Sequence, residues 1–162
     1  PGAEEVHGFS LEKLYELSEG MEFLDQLQDF MKDFFDADFV IGHNVQFDIK
    51  FLKHELNSLY EVGMIDETWE PKNSFCTMTY YKNICNIPAP RGNGIKNPKL
   101  SEVIDFLNIS QDKIATKANE LFQRSGNYHD ARFDTAATYL LVIEGIKQKY
   151  IKPGFFSEQL KK

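Results

Sequence analysis

Few segments of this chain have the residue pattern of a β-strand, and this shortage constrains its fold more than any other feature. Residues 38–41 predict one short strand that ends at Gly42, and residues 74–77 predict a second. Most other segments have the apolar period of a helix. Two or three strands cannot cover the apolar faces of about six helices, because a parallel sheet is normally packed on both faces and has several strands. We therefore expect an α/β fold whose sheet is incomplete, with the missing strands preceding the N-terminus.

The helical pattern divides the chain into one domain and a short tail. A loop with three prolines and two glycines is predicted over residues 86–98, and Pro153-Gly154 ends the last long helix. We place the domain at residues 1–150 and the tail at residues 151–162. Helices are predicted over residues 11–17, 21–35, 46–59, 78–85, 100–107, 113–123 and 130–149.

Composition excludes several classes of protein. The 162 residues, at 18.8 kDa and 42% apolar, are enough to build one core, and no apolar run approaches the ~18 residues that a membrane span needs. Cys76 and Cys85 have neither disulfide-framework nor zinc-site spacing, which favours a reducing compartment, and we expect a cytoplasmic protein.

The net charge of −7 conceals an asymmetry along the chain. Residues 1–67 have a net charge of −12, whereas residues 68–162 have one of +5. A protein that binds nucleic acid through its backbone normally has a basic face, and only the second half of this chain is basic. The acidic half is better suited to a small site in which metal ions meet a phosphate.

A polar segment directly follows the first predicted strand. His43 and Asn44 fall in the predicted turn, and Asp48 falls in the first turn of the next predicted helix. Open α/β sheets bind ligands at the carboxyl ends of their strands, where a carboxylate is a suitable ligand for Mg²⁺ or Mn²⁺. A purely structural interpretation is also open, since Asp stabilises a helix N-terminus and Asn favours turns.

A second polar segment precedes the last long predicted helix. His129 falls in the loop, and Asp134 falls one turn inside the helix, after Asp130. A histidine with a pKa near neutrality takes a proton from water, and an aspartate beside it holds a cation. Helix capping and ordinary first-turn acids explain the same residues without any reaction.

Together the two segments resemble the second and third motifs of the DEDDh 3′-to-5′ exonuclease family. The family includes the proofreading epsilon subunit of bacterial DNA polymerase III, and Val6-His7-Gly8 and Cys76-Thr77 are similar to segments of that branch. Pro98-Lys99-Leu100 resembles a further helix start, so the resemblance extends in order from about residue 6 to residue 141. The two main patterns are His43-Asn44-x-x-Phe47-Asp48-x-x-Phe51-Leu52 and His129-Asp130-Ala131-x-x-Asp134-x-x-x-Thr138.

The resemblance implies a ribonuclease H-like exonuclease fold, in which a mixed central sheet is flanked by helices. It implies hydrolysis of the terminal phosphodiester bond at a 3′ end of DNA by a two-metal mechanism with Mg²⁺ or Mn²⁺. Asp48 and Asp134 match the metal ligands, and His129 matches the general base. The implied partners are a single-stranded DNA 3′ end and a DNA polymerase subunit. The residues that match the pocket for the terminal nucleotide are Val6, His7, His43, Asn44 and Phe47.

The sequence departs from the family at its first motif. That motif, an Asp-x-Glu pair on the first strand, would precede Val6, where only five residues stand. Asp66-Glu67 has neither its spacing nor its position. We therefore expect the chain to be the portion of a working exonuclease that follows the third strand. We expect the isolated 162-residue chain to be inactive, because Mg²⁺ binds poorly to so few carboxylates.

Two alternatives remain open at the level of sequence. An RNA 3′-end exonuclease of the same superfamily has nearly the same motifs, since the choice of substrate depends on contacts to the 2′-hydroxyl. A catalytically inactive module that binds nucleic acid or a polymerase would explain the absent first motif. Such a module has no need for His129, Asp48 and Asp134.

Overall fold

The chain forms two compact units, described by a computed structural model over residues 9–123 and 130–161. One unit ends at Ala37 and the other begins at Asp38. Helices dominate both units, and the second one contains the sheet. The mixed α/β class predicted from the sequence is confirmed, whereas the ribonuclease H-like fold stays a prediction.

The first unit consists of short helices. Helix α1 spans Leu11–Leu17, as predicted. A 3₁₀-helix (Phe23–Gln26) leads directly into helix α2 (Leu27–Asp36), so the predicted helix over residues 21–35 starts later and in a tighter form. A cap precedes the 3₁₀-helix, in which the backbone N–H of Glu22 donates to an Asp25 carboxylate oxygen at 2.7 Å.

The second unit has two strands and six helices among the described residues. No helix in the described part of the chain is long and apolar enough to cross a membrane. The elements are β1 (Val40–Gly42), α3 (Val45–Glu61), β2 (Ser74–Cys76), α4 (Thr77–Cys85), α5 (Leu100–Phe106), α6 (Gln111–Phe122), α7 (Ala131–Lys147) and α8 (Phe155–Gln159).

Strands β1 and β2 lie parallel and in register. Gly42 at the end of β1 pairs with Cys76 at the end of β2. A two-residue turn joins β1 to α3, and β2 runs into α4 without a break. Two helix N-termini therefore follow the carboxyl ends of neighbouring strands, at one edge of the sheet.

Helix α7 is the centre of the core. It packs against α5, α6 and β1, and several of its buried residues are small, which lets neighbouring elements approach closely. The buried residues of α7 are Phe133, Ala136, Ala137, Leu140, Leu141, Val142 and Gly145.

The C-terminal segment packs on the second unit. Ile151 is fully buried, and the ring of Phe156 contacts Phe39 and Phe75 at centroid distances of 5.2 Å. The neighbouring ring of Phe155 lies 5.3 Å from Phe75. These edge-to-face contacts partly bury both aromatic side chains against the core.

The proline-rich loop over residues 86–98 is partly ordered by its own backbone. An antiparallel bridge joins Pro88 to Ile95, and the N–H of Ala89 donates to the Gly94 carbonyl at 2.8 Å. Lys96 in this loop forms an ion pair with Glu102, so the charge of this loop cation is neutralised. The loop ends at Pro98, which is buried beside the edge of the sheet where β1 ends.

Candidate active site

The turn between β1 and α3 is tight and positions Asp48. Asn44 has left-handed backbone angles (φ 73°, ψ 37°), which asparagine adopts more readily than most residues. Val45 is buried directly after it, so α3 starts with its apolar side against the sheet. Asp48 therefore lies in the first turn of α3. Partial burial raises the pKa of Asp48, partly offset by its own backbone N–H.

The start of α7 contains two aspartates in different situations. The carboxylate of Asp130 accepts hydrogen bonds from the backbone N–H and the Nε of Arg132, both at 2.9 Å. These bonds hold the pKa of Asp130 below its usual range, so Asp130 is a helix cap and an ion-pair partner. Asp134 lies one turn further, and its Oδ1 atom is buried. The structural interpretation thus accounts for Asp130 fully.

His43 is held by hydrogen bonds at both ring nitrogens. Its Nε2 lies 2.9 Å from the carbonyl oxygen of Pro98, and its Nδ1 lies 3.0 Å from Oγ1 of Thr77. A carbonyl oxygen only accepts, so Nε2 carries a proton. In the neutral ring, the Thr77 hydroxyl donates to Nδ1. Thr77 is fully buried, and the carbonyl oxygen of Gly42, 3.2 Å from its Oγ1, competes with Nδ1 for the single hydroxyl proton.

Asp134 and His43 interact through charge. Burial lowers the pKa of His43, and this outweighs the Pro98 carbonyl and the Asp134 carboxylate, which both act to raise it. The charge of Asp134 therefore acts on a residue 91 positions earlier in the chain. Asp48 follows His43 by five residues on the helix that leaves the same strand.

The geometry limits the ways in which His43 can meet a ligand. Both nitrogens already bond protein atoms, so a nucleotide can contact only the ring face and carbon edges unless one of these bonds breaks. The predicted contact of His43 with the terminal nucleotide stays a prediction. Its evident structural effect is to tie the end of β1 to α4 and to the end of the proline-rich loop.

Phe47 is exposed at the start of α3. Its side chain is 58% exposed, and its ring lies 4.7 Å from the ring of Phe51, one turn along the helix. Three further residues that the sequence predicts to take part, Val6, His7 and His129, lie outside the described residues.

Sequence reasoning missed the residues that hold His43. Thr77 is a fully buried polar residue directly after a strand, and Pro98 contributes only a backbone oxygen. A buried hydroxyl needs a partner, so the position of Thr77 at the end of an apolar strand was a usable signal. The role of Pro98 has no side-chain signal at all.

Cys76 lies in the same turn region and is unusually well surrounded by donors. Burial acts to raise the pKa of its thiol, but hydrogen bonds from the Thr79 side chain, from the Thr79 backbone and from the backbones of Asn44 and Val45 together lower it. The Oγ1 of Thr79 donates to Sγ at 3.3 Å. Cys85 has the opposite balance, since burial and the charge of Glu102 raise its thiol pKa.

This contrast predicts selective alkylation of Cys76. Both cysteines are free and half-buried, so exposure alone does not separate them. At pH 7.5 we expect iodoacetamide to modify Cys76 faster than Cys85, because the thiolate is the nucleophile. Peptide mass spectrometry over a time course measures both rates in one sample, and Thr79→Val, which removes one donor, should slow only Cys76. Equal rates, or a faster Cys85, would contradict the prediction.

The donor set near the end of β1 has the chemistry of a hard-cation site but not the number of ligands. Asp48 and Asp134 offer carboxylate oxygens, which Mg²⁺ and Mn²⁺ prefer. Over residues 9–123 and 130–161, no three His, Cys, Asp or Glu side chains form a group that could hold a metal ion. Asp48 and Asp134 are thus two candidate carboxylates without a third ligand among the described residues.

A separate groove lies beside the second half of α3. It encloses about 370 Å³, and Lys53 at its side forms an ion pair with Glu70. None of the predicted site residues borders it. Its lining residues are Lys53, Asn57, Tyr60, Glu61, Thr68, Trp69 and Glu70.

The comparisons with known proteins found no relative of this chain. No family model, no curated protein and no solved structure matches this chain.

Proposed function

We propose that this chain is part of a metal-dependent 3′-to-5′ exonuclease that removes nucleotides from single-stranded DNA. The observation that supports it best is the position of His43 and Asp48 at the carboxyl end of β1, with the charge of Asp134 acting on His43. These residues belong to the two segments that resemble the second and third motifs of the DEDDh family. A proofreading or repair role, with a polymerase subunit as partner, is part of the proposal.

Each side chain has a role in this proposal. Asp48 and Asp134 hold two of the carboxylate positions of the metal site, and His129 takes a proton from the attacking water. Bound Mg²⁺ or Mn²⁺ supplies charge that activates the water and stabilises the leaving oxygen. Asn44 and Phe47, with Val6 and His7, line the pocket for the terminal nucleotide. His43 keeps the turn and Thr77 in place beside them.

The proposed metal site needs carboxylates in addition to Asp48 and Asp134. Mg²⁺ keeps most of its water ligands unless several carboxylates or phosphates converge on it, so two aspartates alone hold it weakly. We therefore expect the 162-residue chain to be inactive or nearly so, and the tests use the polypeptide translated from its own initiation codon. The free thiols of Cys76 and Cys85 agree with a reducing, cytoplasmic location.

An RNA exonuclease is the second candidate, since the same motifs serve both substrates. The experiment that separates the candidates uses 5′-labelled single strands of DNA and RNA with one sequence, each incubated with the translated polypeptide and Mg²⁺. We expect a ladder of shortened DNA products that EDTA abolishes, and slower shortening of RNA. Circular single-stranded DNA is the control, because it has no 3′ end and should stay intact.

The outcomes of this experiment are distinct. Preferential shortening of RNA would replace DNA by RNA as the substrate. Binding of both strands without any shortening would favour the non-catalytic module. Vigorous, EDTA-sensitive shortening by the 162-residue chain would contradict the need for carboxylates beyond Asp48 and Asp134.

A further inference from the structure

Thr77 is fully buried although its side chain is polar, and it is the first residue of α4. A buried hydroxyl needs hydrogen-bond partners, and this one has two within reach. Its Oγ1 lies 3.0 Å from Nδ1 of His43 and 3.2 Å from the carbonyl oxygen of Gly42. One hydroxyl therefore contacts two consecutive residues at the end of β1.

This contact lies just beyond the paired part of the two strands. Gly42 and Cys76 are the last residues in register, so the strand pairing ends where the turn to α3 begins. Thr77 follows Cys76 and continues the connection through its side chain. Cys76 adds to it, since its Sγ accepts hydrogen bonds from the backbones of Asn44 and Val45. The junction of β2 and α4 thus contacts every residue from the end of β1 to the start of α3.

The ring of His43 is also held from its other side. Its Nε2 lies 2.9 Å from the carbonyl oxygen of Pro98, so neither ring nitrogen is left without a partner. The hydroxyl of Thr77 has one proton, which it donates either to Nδ1 or to the carbonyl oxygen of Gly42. Either bond joins the end of β1 to α4. A buried group that loses such a bond is left unsatisfied, which is costly.

The position of Asp48 depends on this turn. Asn44 has left-handed backbone angles and Val45 is buried, so the short turn cannot lengthen to absorb a displacement. Asp48 lies in the first turn of α3, directly after it. A shift at the end of β1 would therefore move the carboxylate of Asp48. Misplacing a group at a reacting centre by about 1 Å can lower a rate by about a hundredfold.

We propose that Thr77 is a positioning residue for the metal site, because its hydroxyl fixes the turn between β1 and α3 and thereby the carboxylate of Asp48. This inference rests on the proposed function, since it takes Asp48 as a metal ligand. Thr77 is fully buried, so it acts through the turn and not through contact with a nucleotide. Loss of its hydroxyl should weaken the response to Mg²⁺ and leave the affinity for DNA unchanged.

The test compares Thr77→Val with Thr77→Ser in the translated polypeptide, with single-stranded DNA and a series of Mg²⁺ concentrations. Valine keeps the shape of the side chain and removes the hydroxyl, whereas serine keeps the hydroxyl. Thr77→Val should raise the half-saturating Mg²⁺ concentration by about tenfold and leave the KM for DNA at saturating Mg²⁺ unchanged. Thr77→Ser should restore the original Mg²⁺ response. If circular dichroism shows that Thr77→Val does not fold, Thr77→Ala takes its place.

The connection to His43 can be tested without any activity. Long-range proton–nitrogen NMR correlations of the His43 ring should show a proton on Nε2, and Thr77→Val should move the Nδ1 resonance downfield because an accepted hydrogen bond is lost. Thr135→Val is the matched control. The hydroxyl of Thr135 is exposed beside Asp134 and donates to the carbonyl oxygen of Ala131 at 2.6 Å. This variant should change neither the Mg²⁺ response nor the His43 resonance.

Three outcomes would overturn the inference. They are an unchanged Mg²⁺ response in folded Thr77→Val, a loss in Thr77→Ser or Thr135→Val equal to that in Thr77→Val, and a change in the KM for DNA without a change in the Mg²⁺ response. Failure of the proposed function looks different. The unsubstituted polypeptide would then show the expected His43 resonances but no Mg²⁺-dependent shortening of DNA, which would overturn the metal site together with the role of Thr77.

Discussion

Gly145→Ala is expected to lower the free energy of unfolding by about 3 kcal/mol, or to prevent folding. A Cβ atom on Gly145 would clash with the hydroxyl oxygen of Tyr81 and lie 3.0 Å from Cδ1 of Ile151. Both neighbours are fully buried, so neither side chain can move into solvent. Gly145 lies within α7, where an alanine would otherwise be favoured over glycine. Urea unfolding followed by circular dichroism measures the change.

The Tyr81 hydroxyl is the main cause of the clash, and removing it tests this explanation. It is buried and has no hydrogen-bond partner among the described residues, and burial raises its pKa. Tyr81→Phe should therefore be neutral or stabilising by about 1 kcal/mol. In the double variant Tyr81→Phe with Gly145→Ala, most of the lost stability should return, because the oxygen nearest to the new methyl group is gone.

Gly94→Ala is the matched control for the glycine substitution. A Cβ there meets no atom within 4 Å, so stability should change by less than about 0.5 kcal/mol. A stable Gly145→Ala single variant, or a double variant no more stable than the single one, would contradict the packing described for α7.

Asp134→Asn is expected to lower the exonuclease rate by roughly a thousandfold, equivalent to the several kcal/mol that a metal ligand contributes to the transition state. The amide keeps the shape of the side chain and removes its charge. Circular dichroism should show an unchanged fold, because the change replaces one oxygen by nitrogen at the first turn of a well-packed helix. The rate is measured in single turnover with excess polypeptide translated from its own initiation codon.

Asp130→Asn distinguishes loss of the proposed metal ligand Asp134 from loss of negative charge at this helix end. It lies one turn before Asp134, and an asparagine can still accept the backbone hydrogen bond from Arg132 that caps α7. Its rate should stay near that of the unchanged protein. Equal losses in both variants would mean that the charge at the start of α7, and not a ligand at Asp134, controls activity.

The local elements of this fold were predictable from the sequence because local patterns determine them. The strand that ends at Gly42, the turn at Asn44 and the long helix with Asp48 in its first turn follow from apolar periodicity and turn residues. The prediction of a helix over residues 21–35 was less accurate. The segment begins with a 3₁₀-helix that follows the Glu22–Asp25 cap.

The contacts across the site were not predictable from local patterns. His43 bonds Thr77 and Pro98, which lie 34 and 55 residues away, and one of these partners is a backbone oxygen. Glycine is unfavourable inside a helix, and only the neighbouring Tyr81 hydroxyl explains why position 145 has no side chain. Such choices depend on tertiary packing, which residue type alone does not reveal.

Hydrolysis at a 3′ end is tested most directly by the release of nucleotides from single-stranded DNA that is labelled at one end or the other. The translated polypeptide with Mg²⁺ should release labelled mononucleotide at once from a 3′-terminal label and only late from a 5′-terminal label. His129→Ala should slow the early release by about a hundredfold or more. Early release from the 5′ end, internal cleavage, or release that persists undiminished in His129→Ala would contradict the account.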